Sequence, residues 1–172
     1  LLTLLRKSEL LSAKWEDIDF IQRTWRIPKT KADSTNGQRR EMLVYLSDQM
    51  IDILQALYPS AQHEPYVFFG RFKGSCLSHS TLNVAQKKIL ACTSLDDFSI
   101  HDLRRTASTH LNEQGFNRDV IEKCLNHKSV GIRGVYNKAE YTEERKIMMQ
   151  KWSDFVFKLI DEPALLTFLK NE

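Results

Sequence analysis

From Ser99 onward the apolar residues follow the spacing of α-helices, and this pattern determines the fold class. The spacing predicts helices over about 100–113, 118–125, 129–135 and 140–160. Gly115 suits the left-handed position that ends the first of them. No repeat, low-complexity tract or flexible linker divides the chain, which has 6 Gly and 4 Pro in 172 residues. We therefore predict a single, mainly helical unit.

The first half of the chain adds a small sheet to these helices. Alternating β-type residues over 18–27 predict two strands with a turn near Gln22–Arg23, and 42–46 predicts a third. The polar segment 31–40 predicts a long basic hairpin between the second and third strands. Helical spacing also predicts helices over about 7–15, 48–57 and 80–91. The predicted fold class is thus mainly α with a small antiparallel β-sheet (α+β).

Charge and cysteine usage restrict the function classes. The net charge is 25 − 22 = +3, and the basic residues cluster, six of them against Asp33 alone between 23 and 40. Such clusters fit a polyanion such as nucleic acid, although a solvated face explains any one of them equally well. The three cysteines are far apart and form no CxxC, which indicates a reducing, cytoplasmic compartment. Apolar runs of only a few residues exclude a membrane span.

The segment 99–106, SIHDLRRT, carries the most information about chemistry. Ser99 and Asp102 have the spacing of a capping box, which predicts a helix start. An apolar stripe follows on that helix at Leu103, Ala107 and Leu111. We place His101, Arg104 and Arg105 on the opposite side within one turn, where an imidazole and a guanidinium can reach one anion. The alternative is an ordinary solvated helix face.

Three further elements have ordinary explanations when taken alone. Arg6 precedes Glu9 by three residues, a spacing that also makes weak surface ion pairs. His127 ends the triplet Leu-Asn-His, and a lone histidine at a helix end is usually a cap. Tyr136 follows nine residues later, and an isolated tyrosine is usually a packing residue.

In this order, however, the motifs resemble the tyrosine recombinases, or phage-type integrases. The resemblance covers about 2–152 and includes the Arg-x-x-Glu box, a basic hairpin, His-x-x-Arg, Leu-x-His and the tyrosine nine residues on. The strings HDLRRTAS, LNHKSVGIRGVYNKAEY and MMQKW look most like integrases of prophages and genomic islands. The His-x-x-Arg pattern of that family selects Arg104 over Arg105, which spacing alone leaves open.

The resemblance implies site-specific DNA recombination that needs no metal, ATP or other cofactor. Tyr136 would attack a backbone phosphate, form a 3′-phosphotyrosyl intermediate and release a 5′-hydroxyl. The 5′-hydroxyl of the partner strand would then reverse the step and complete strand exchange. The implied catalytic residues are Arg6, Lys31, His101, Arg104, His127 and the nucleophile Tyr136.

The resemblance also implies a role for each of these residues. The two arginines would stabilise charge on the phosphate, His101 would accept the tyrosine proton, and His127 would donate a hydrogen bond. A lysine of the hairpin would protonate the leaving oxygen, with Lys31 favoured over Lys29. The basic residues expected to contact DNA are Lys29, Arg39, Arg40, Arg105 and Lys128.

The expected partners are double-stranded DNA attachment sites, further copies of the chain in a homotetramer, and DNA-bending accessory proteins. The expected location is the bacterial cytoplasm, at the nucleoid when DNA is bound. We expect 1–160 to be an N-terminally truncated catalytic domain and 161–172 to be a tail that could contact a neighbouring protomer. One residue departs from the family, which usually has Gly where Leu4 stands, and we expect an altered local backbone there.

Three other functions compete with recombination. A type IB topoisomerase-like strand transferase would use the same tyrosine chemistry to relax one strand. A non-catalytic DNA-binding remnant would retain the basic groove without cleavage. A helical protein-interaction module would leave the spaced Arg, His and Tyr residues as coincidence.

Overall fold

A computed structural model describes residues 1–28, 41–127 and 138–160. Within these ranges the helices are α1 (Lys7–Leu11), α2 (Asp48–Ala61), α3 (His79–Ala91), α4 (Ile100–Glu113), α5 (Arg118–Cys124) and α6 (Thr142–Lys158). The strands are β1 (Ile18–Asp19), β2 (Thr24–Ile27) and β3 (Met42–Tyr45), and a 3₁₀ turn covers Trp15–Asp17. The predicted α+β class is confirmed.

The strands form an antiparallel meander in the order β1-β2-β3. Trp25 at its centre pairs with Ile18 on one side and Val44 on the other. Trp25 and Ile27 are buried while Arg26 between them is exposed, as strand alternation requires. The sheet therefore covers the helices with one face only.

The core of the protein extends from the sheet and α2 to the place where α4, α5 and α6 meet. Several side chains of these three helices are less than 2% exposed, namely Ala107, Leu111, Ile121, Met148 and Trp152. Burial of these apolar surfaces is the dominant favourable term, at about 25 cal/mol per Å² removed from water. It also fixes the N-terminal end of α4 and the C-terminal end of α5, which carry the candidate site.

Helix α4 follows the sequence closely, whereas α1, predicted over about 7–15, ends at Leu11. The observed bounds of α4 match the prediction, and Ser99 and Asp102 form the expected capping box. Gly115 follows α4 with φ +78°, the left-handed conformation predicted for it. By contrast, α2 continues four residues past its predicted end at 57. Its last residue, Ala61, is buried, and the Ala61 carbonyl accepts a hydrogen bond from the Trp15 indole at 3.2 Å.

Some predicted features lie outside the described residues, namely the basic hairpin over 31–40 and the helix over 129–135. Among the described helices none is long and apolar enough to cross a membrane.

Candidate active site

Arg6 is held at the start of α1 by a buried carboxylate. Glu9, 8% exposed, accepts hydrogen bonds from the Arg6 backbone N–H at 2.8 Å and from its guanidinium at 3.0 Å. The second terminal nitrogen of the guanidinium donates to the Asn126 carbonyl at 3.4 Å. Because Glu9 binds both the backbone and the side chain of Arg6, it determines the direction of the guanidinium. Such geometry distinguishes this pair from a mobile surface ion pair.

Arg104 lies inside the protein, so its predicted placement on the polar face of α4 is wrong. It is 5% exposed and shares the buried face of α4 with Ala107 and Leu111. One guanidinium nitrogen donates to the Leu4 carbonyl and another donates to the Leu125 carbonyl. A buried cation requires such partners, because the hydrogen bonds replace lost water. Two carbonyls far from Arg104 in sequence therefore allow its burial.

The two arginines converge on consecutive carbonyls at the C-terminal end of α5. Arg104 binds the carbonyl of Leu125, and Arg6 binds that of Asn126. The carbonyls at a helix C-terminus lack helical partners and carry partial negative charge. They offset the repulsion between the two guanidinium groups and place both beside the same turn.

His127 follows directly on this turn. Its Nδ1 lies 2.8 Å from a carboxylate oxygen of Glu122, and both side chains are partly exposed. The Asn126 carbonyl that binds Arg6 therefore belongs to the residue preceding His127. Arg6, Arg104 and His127, which belong to three separate sequence motifs, therefore lie close together at this turn.

An open cleft of about 550 Å³ brings the N-terminal ends of α1 and α4 together. Three of the predicted site residues line it, namely Arg6, His101 and Arg104. His101 is exposed in the first turn of α4. The cleft also contains basic and acidic side chains that sequence reasoning did not assign to the site: Lys7, Lys87, Asp97 and Asp102. An anion entering this cleft meets the Arg6 guanidinium and the His101 imidazole, with the largely buried Arg104 in the wall of the cleft.

Arg105 is exposed and does not line this cleft. It donates to Asp102 at 2.9 Å, and hydrogen bonds from the Ser99 hydroxyl and backbone N–H lower the pKa of Asp102, helped by Arg105. Asp102 therefore stays ionised and holds Arg105 along α4. Of the two adjacent arginines, Arg104 is therefore buried and Arg105 lies on the surface.

Helix α3 was missed as part of the site. Asn83, Gln86 and Lys87 line the cleft, and Lys7 donates to Asn83 at 3.1 Å. None of the residues of α3 is buried. A helix without a buried stripe packs on the core through little apolar surface and presents polar side chains instead. This weak amphipathicity is the sequence signal that could have identified α3.

The remaining predicted residues lie outside the described residues, so the structure gives no geometry for Lys29, Lys31, Arg39, Arg40, Lys128 and Tyr136. Across 1–28, 41–127 and 138–160, no group of three or more His, Cys, Asp or Glu residues could hold a metal ion.

Leu4, whose carbonyl binds Arg104, has a backbone conformation that favours glycine. Its φ is +57°, in the left-handed region, and its side chain is 1% exposed. A non-glycine residue there costs roughly 1–2 kcal/mol. The leucine side chain offsets this cost by filling the core, and its carbonyl accepts a hydrogen bond from Arg104.

We expect Leu4→Gly to destabilise the protein less than Leu4→Ala, although glycine is smaller. Either change removes a buried side chain and costs about 2–4 kcal/mol of unfolding free energy. Glycine alone relieves the backbone strain, which recovers about 1 kcal/mol. Urea denaturation of both variants measures the difference.

Leu111 is the matched control, because it is fully buried within α4. There the order should reverse, with Leu111→Gly less stable than Leu111→Ala by about 1 kcal/mol. The same order at both positions would contradict the role of the Leu4 backbone.

Comparison with known proteins connects this geometry to a family. The sequence pattern of the phage integrase family matches residues 1–143. The chain belongs to the phage integrase family. The resemblance seen in the motifs is therefore confirmed, and it extends through the α5 turn that binds both arginines.

Individual members of the phage integrase family align with nearly the whole chain. It is 36% identical over 174 residues to the prophage integrase IntA of Escherichia coli (strain K12), an alignment covering 99% of the chain and 40% of IntA. It is 35% identical over 161 residues to the integrase of Shigella phage Sf6, covering 90% of the chain and 39% of that integrase. The chain thus spans about 40% of the length of these relatives.

Solved structures confirm the fold. The XerA recombinase superposes with a TM-score of 0.63 at 18% identity, covering 84% of the chain and 52% of XerA. The Tn1549 transposon integrase, in complex with transposon right end DNA, gives a TM-score of 0.61 at 18% identity, covering 85% of this chain and 54% of the solved chain. The fold of this phage integrase family member is that of the tyrosine recombinase catalytic domain.

Proposed function

We propose that residues 1–160 form the catalytic domain of a site-specific DNA recombinase that integrates or excises a prophage or genomic island. The supporting observation is the cleft that Arg6, His101 and Arg104 share although up to 98 residues separate them in sequence. Two cations with fixed directions suit a DNA phosphate, whose charge grows during cleavage. Membership of the phage integrase family supports the same reaction class.

In the first chemical step the phosphoryl group at the cleavage site moves from the 5′-oxygen of DNA to the oxygen of Tyr136. The Tyr136 oxygen attacks phosphorus, the new bond forms to the 3′-phosphate, and the bond to the 5′-oxygen breaks. Arg6 and Arg104 stabilise the charge on the non-bridging oxygens. One bond forms for each bond broken, so the intermediate retains the energy of the phosphodiester.

Two proton transfers accompany this step. A free tyrosine has a pKa of about 10, so the attack requires a base, which we assign to His101. The leaving 5′-oxygen takes a proton from a hairpin lysine, Lys31 or, as second choice, Lys29. His127 donates a hydrogen bond to the phosphate. The 5′-hydroxyl of the partner strand then reverses the sequence and joins the exchanged strands.

The assembly we propose is a homotetramer on duplex attachment sites, assisted by DNA-bending proteins, in the bacterial cytoplasm. Segment 161–172 contacts the neighbouring protomer, and the basic residues Lys29, Arg39, Arg40, Arg105 and Lys128 contact DNA. The transposon integrase that superposes on the chain was solved with DNA, which supports the choice of partner.

Covalent trapping tests the reaction. The chain is incubated with nicked duplexes carrying candidate attachment sites, and denaturing gels resolve any protein–DNA adduct. An adduct that protease digestion removes supports tyrosine-mediated cleavage. Relaxation of supercoiled plasmid without exchange of strands would favour the topoisomerase-like function. DNA binding without an adduct would contradict the proposal and favour the non-catalytic remnant.

We expect duplex DNA binding to weaken steeply with salt and Lys87→Ala to reduce that dependence. Each phosphate contact releases counterions, and loss of one contact lowers the slope of log K against log salt by about 1. Fluorescence anisotropy across a salt series measures the slope. Lys158→Ala is the control, because this exposed lysine does not line the cleft and should leave the slope unchanged. An equal effect of Lys87→Ala and Lys158→Ala on the slope would contradict the assignment of the cleft as the DNA-binding surface.

A further inference from the structure

Glu122 makes two hydrogen bonds to His127, one from its backbone and one from its side chain. The Glu122 carbonyl accepts from the His127 backbone N–H at 3.0 Å. A carboxylate oxygen of the same residue lies 2.8 Å from Nδ1 of the His127 imidazole. The backbone and the imidazole of His127 are therefore both held by one residue of α5.

The turn that ends α5 makes this double contact possible. Asn126 has φ +49°, and its N–H bonds to the Lys123 carbonyl at 3.1 Å. Together with the His127-to-Glu122 backbone bond, this is a Schellman motif, whose geometry is fixed by hydrogen bonds. The motif sets the distance between Glu122 and His127, so the side-chain bond closes without rearrangement of the backbone.

The same turn receives both arginines, through the carbonyls of Leu125 and Asn126. The orientation of His127 is therefore fixed relative to Arg6 and Arg104. Within 1–28, 41–127 and 138–160 the imidazole has no second hydrogen-bond partner. Nε2, on the other side of the ring from Nδ1, is the nitrogen available to a ligand.

We propose that Glu122 is a positioning residue of the reaction: it keeps a proton on His127 Nδ1 and reserves Nε2 for the DNA phosphate. This inference rests on the proposed function, which gives His127 its contact with DNA. With Nδ1–H held by the Glu122 carboxylate, Nε2 is the nitrogen that faces a bound phosphate, and it donates to a phosphate oxygen when it also carries a proton. Groups that orient a functional histidine in this way change activity by about 10–100-fold in metal sites, a guide to the effect here.

The competing explanation is an exposed ion pair without function, since surface pairs contribute little. The two explanations differ in what they expect of Glu122→Ala and Glu122→Gln. A glutamine oxygen can still accept from Nδ1–H, whereas alanine cannot. Only a positioning role distinguishes these variants in catalysis.

The test measures the single-turnover rate of adduct formation at saturating nicked DNA, together with the Kd for the same DNA. Glu122→Ala should slow adduct formation about tenfold and change Kd by less than about twofold. Glu122→Gln should restore the rate to within about threefold of the parent. Glu113→Ala is the matched control, because Glu113 lies 3.7 Å from His110 Nδ1 in a similar pair on α4. It should leave the rate unchanged.

Nitrogen-15 NMR of the imidazoles gives an independent readout, with His127 assigned through His127→Gln. Without DNA the parent should keep a proton on His127 Nδ1, and Glu122→Ala should lose that preference. An unchanged rate in Glu122→Ala, or an Nε2–H tautomer in the parent, would overturn the inference. If the parent forms no adduct, the proposed function fails, and the nitrogen shifts still decide whether Glu122 controls the His127 tautomer.

Discussion

Replacing Tyr136 by phenylalanine is expected to abolish the covalent protein–DNA adduct. The change removes one oxygen and keeps the aromatic ring, so the nucleophile is the only group lost. Nucleophilic catalysis has no substitute for the attacking atom, and we expect the cleavage rate to fall by roughly a thousandfold or more. Denaturing gels of parent and variant on the same nicked duplex measure this loss, while anisotropy confirms that DNA binding is retained.

Tyr141→Phe is the matched control for this prediction. Tyr141 stands five residues after Tyr136, next to the start of α6, and is the nearest alternative tyrosine. Its variant should form adduct at the rate of the parent. An adduct that persists in Tyr136→Phe and disappears in Tyr141→Phe would transfer the nucleophile to Tyr141 and overturn our assignment.

Replacing Arg104 by methionine is expected to impair both stability and cleavage. The side chain is buried and donates to two carbonyls, those of Leu4 and Leu125. Methionine fills similar space but leaves both carbonyls without this donor, at about 1–3 kcal/mol for each unsatisfied group. We expect the unfolding free energy to fall by about 2–4 kcal/mol and cleavage to fall at least a hundredfold, because a cation facing the phosphate is lost.

Arg104→Lys separates charge from geometry. An ammonium retains the positive charge but lacks the planar fork that reaches two carbonyls at once. It should recover part of the stability and little of the cleavage. The measurements are urea denaturation and single-turnover adduct formation.

Arg105→Met is the control for both Arg104 variants, because Arg105 is adjacent in sequence, exposed and paired with Asp102 on the surface of α4. Its unfolding free energy should stay within about 0.5 kcal/mol of the parent. Because Arg105 is itself proposed to contact DNA, cleavage is compared at saturating DNA; an equal loss there in Arg105→Met and Arg104→Met would show that the choice between the two arginines is wrong.

Local signals in the sequence determined most of the fold. The spacing of Ala107 and Leu111, with the Ser99 and Asp102 cap, located α4 at its observed bounds. Alternation around Trp25 located the sheet. These features depend on residues a few positions apart, whose interactions are set by helix and strand geometry. The ordered motifs also indicated the phage integrase family, and the match of that family's sequence pattern to residues 1–143 confirms it.

The tertiary structure alone decided how the candidate site is held together. Its charge placed Arg104 on the predicted polar face of α4, yet Arg104 is buried and binds the carbonyls of Leu4 and Leu125, 100 and 21 residues away. Glu122 carried no motif, and its role arises from the turn that brings His127 back to it. Backbone carbonyls have no sequence signature, since every residue has one. The sequence therefore suffices to propose the candidate site residues, but the partners of Arg6 and Arg104 became visible only when the fold brought distant carbonyls together.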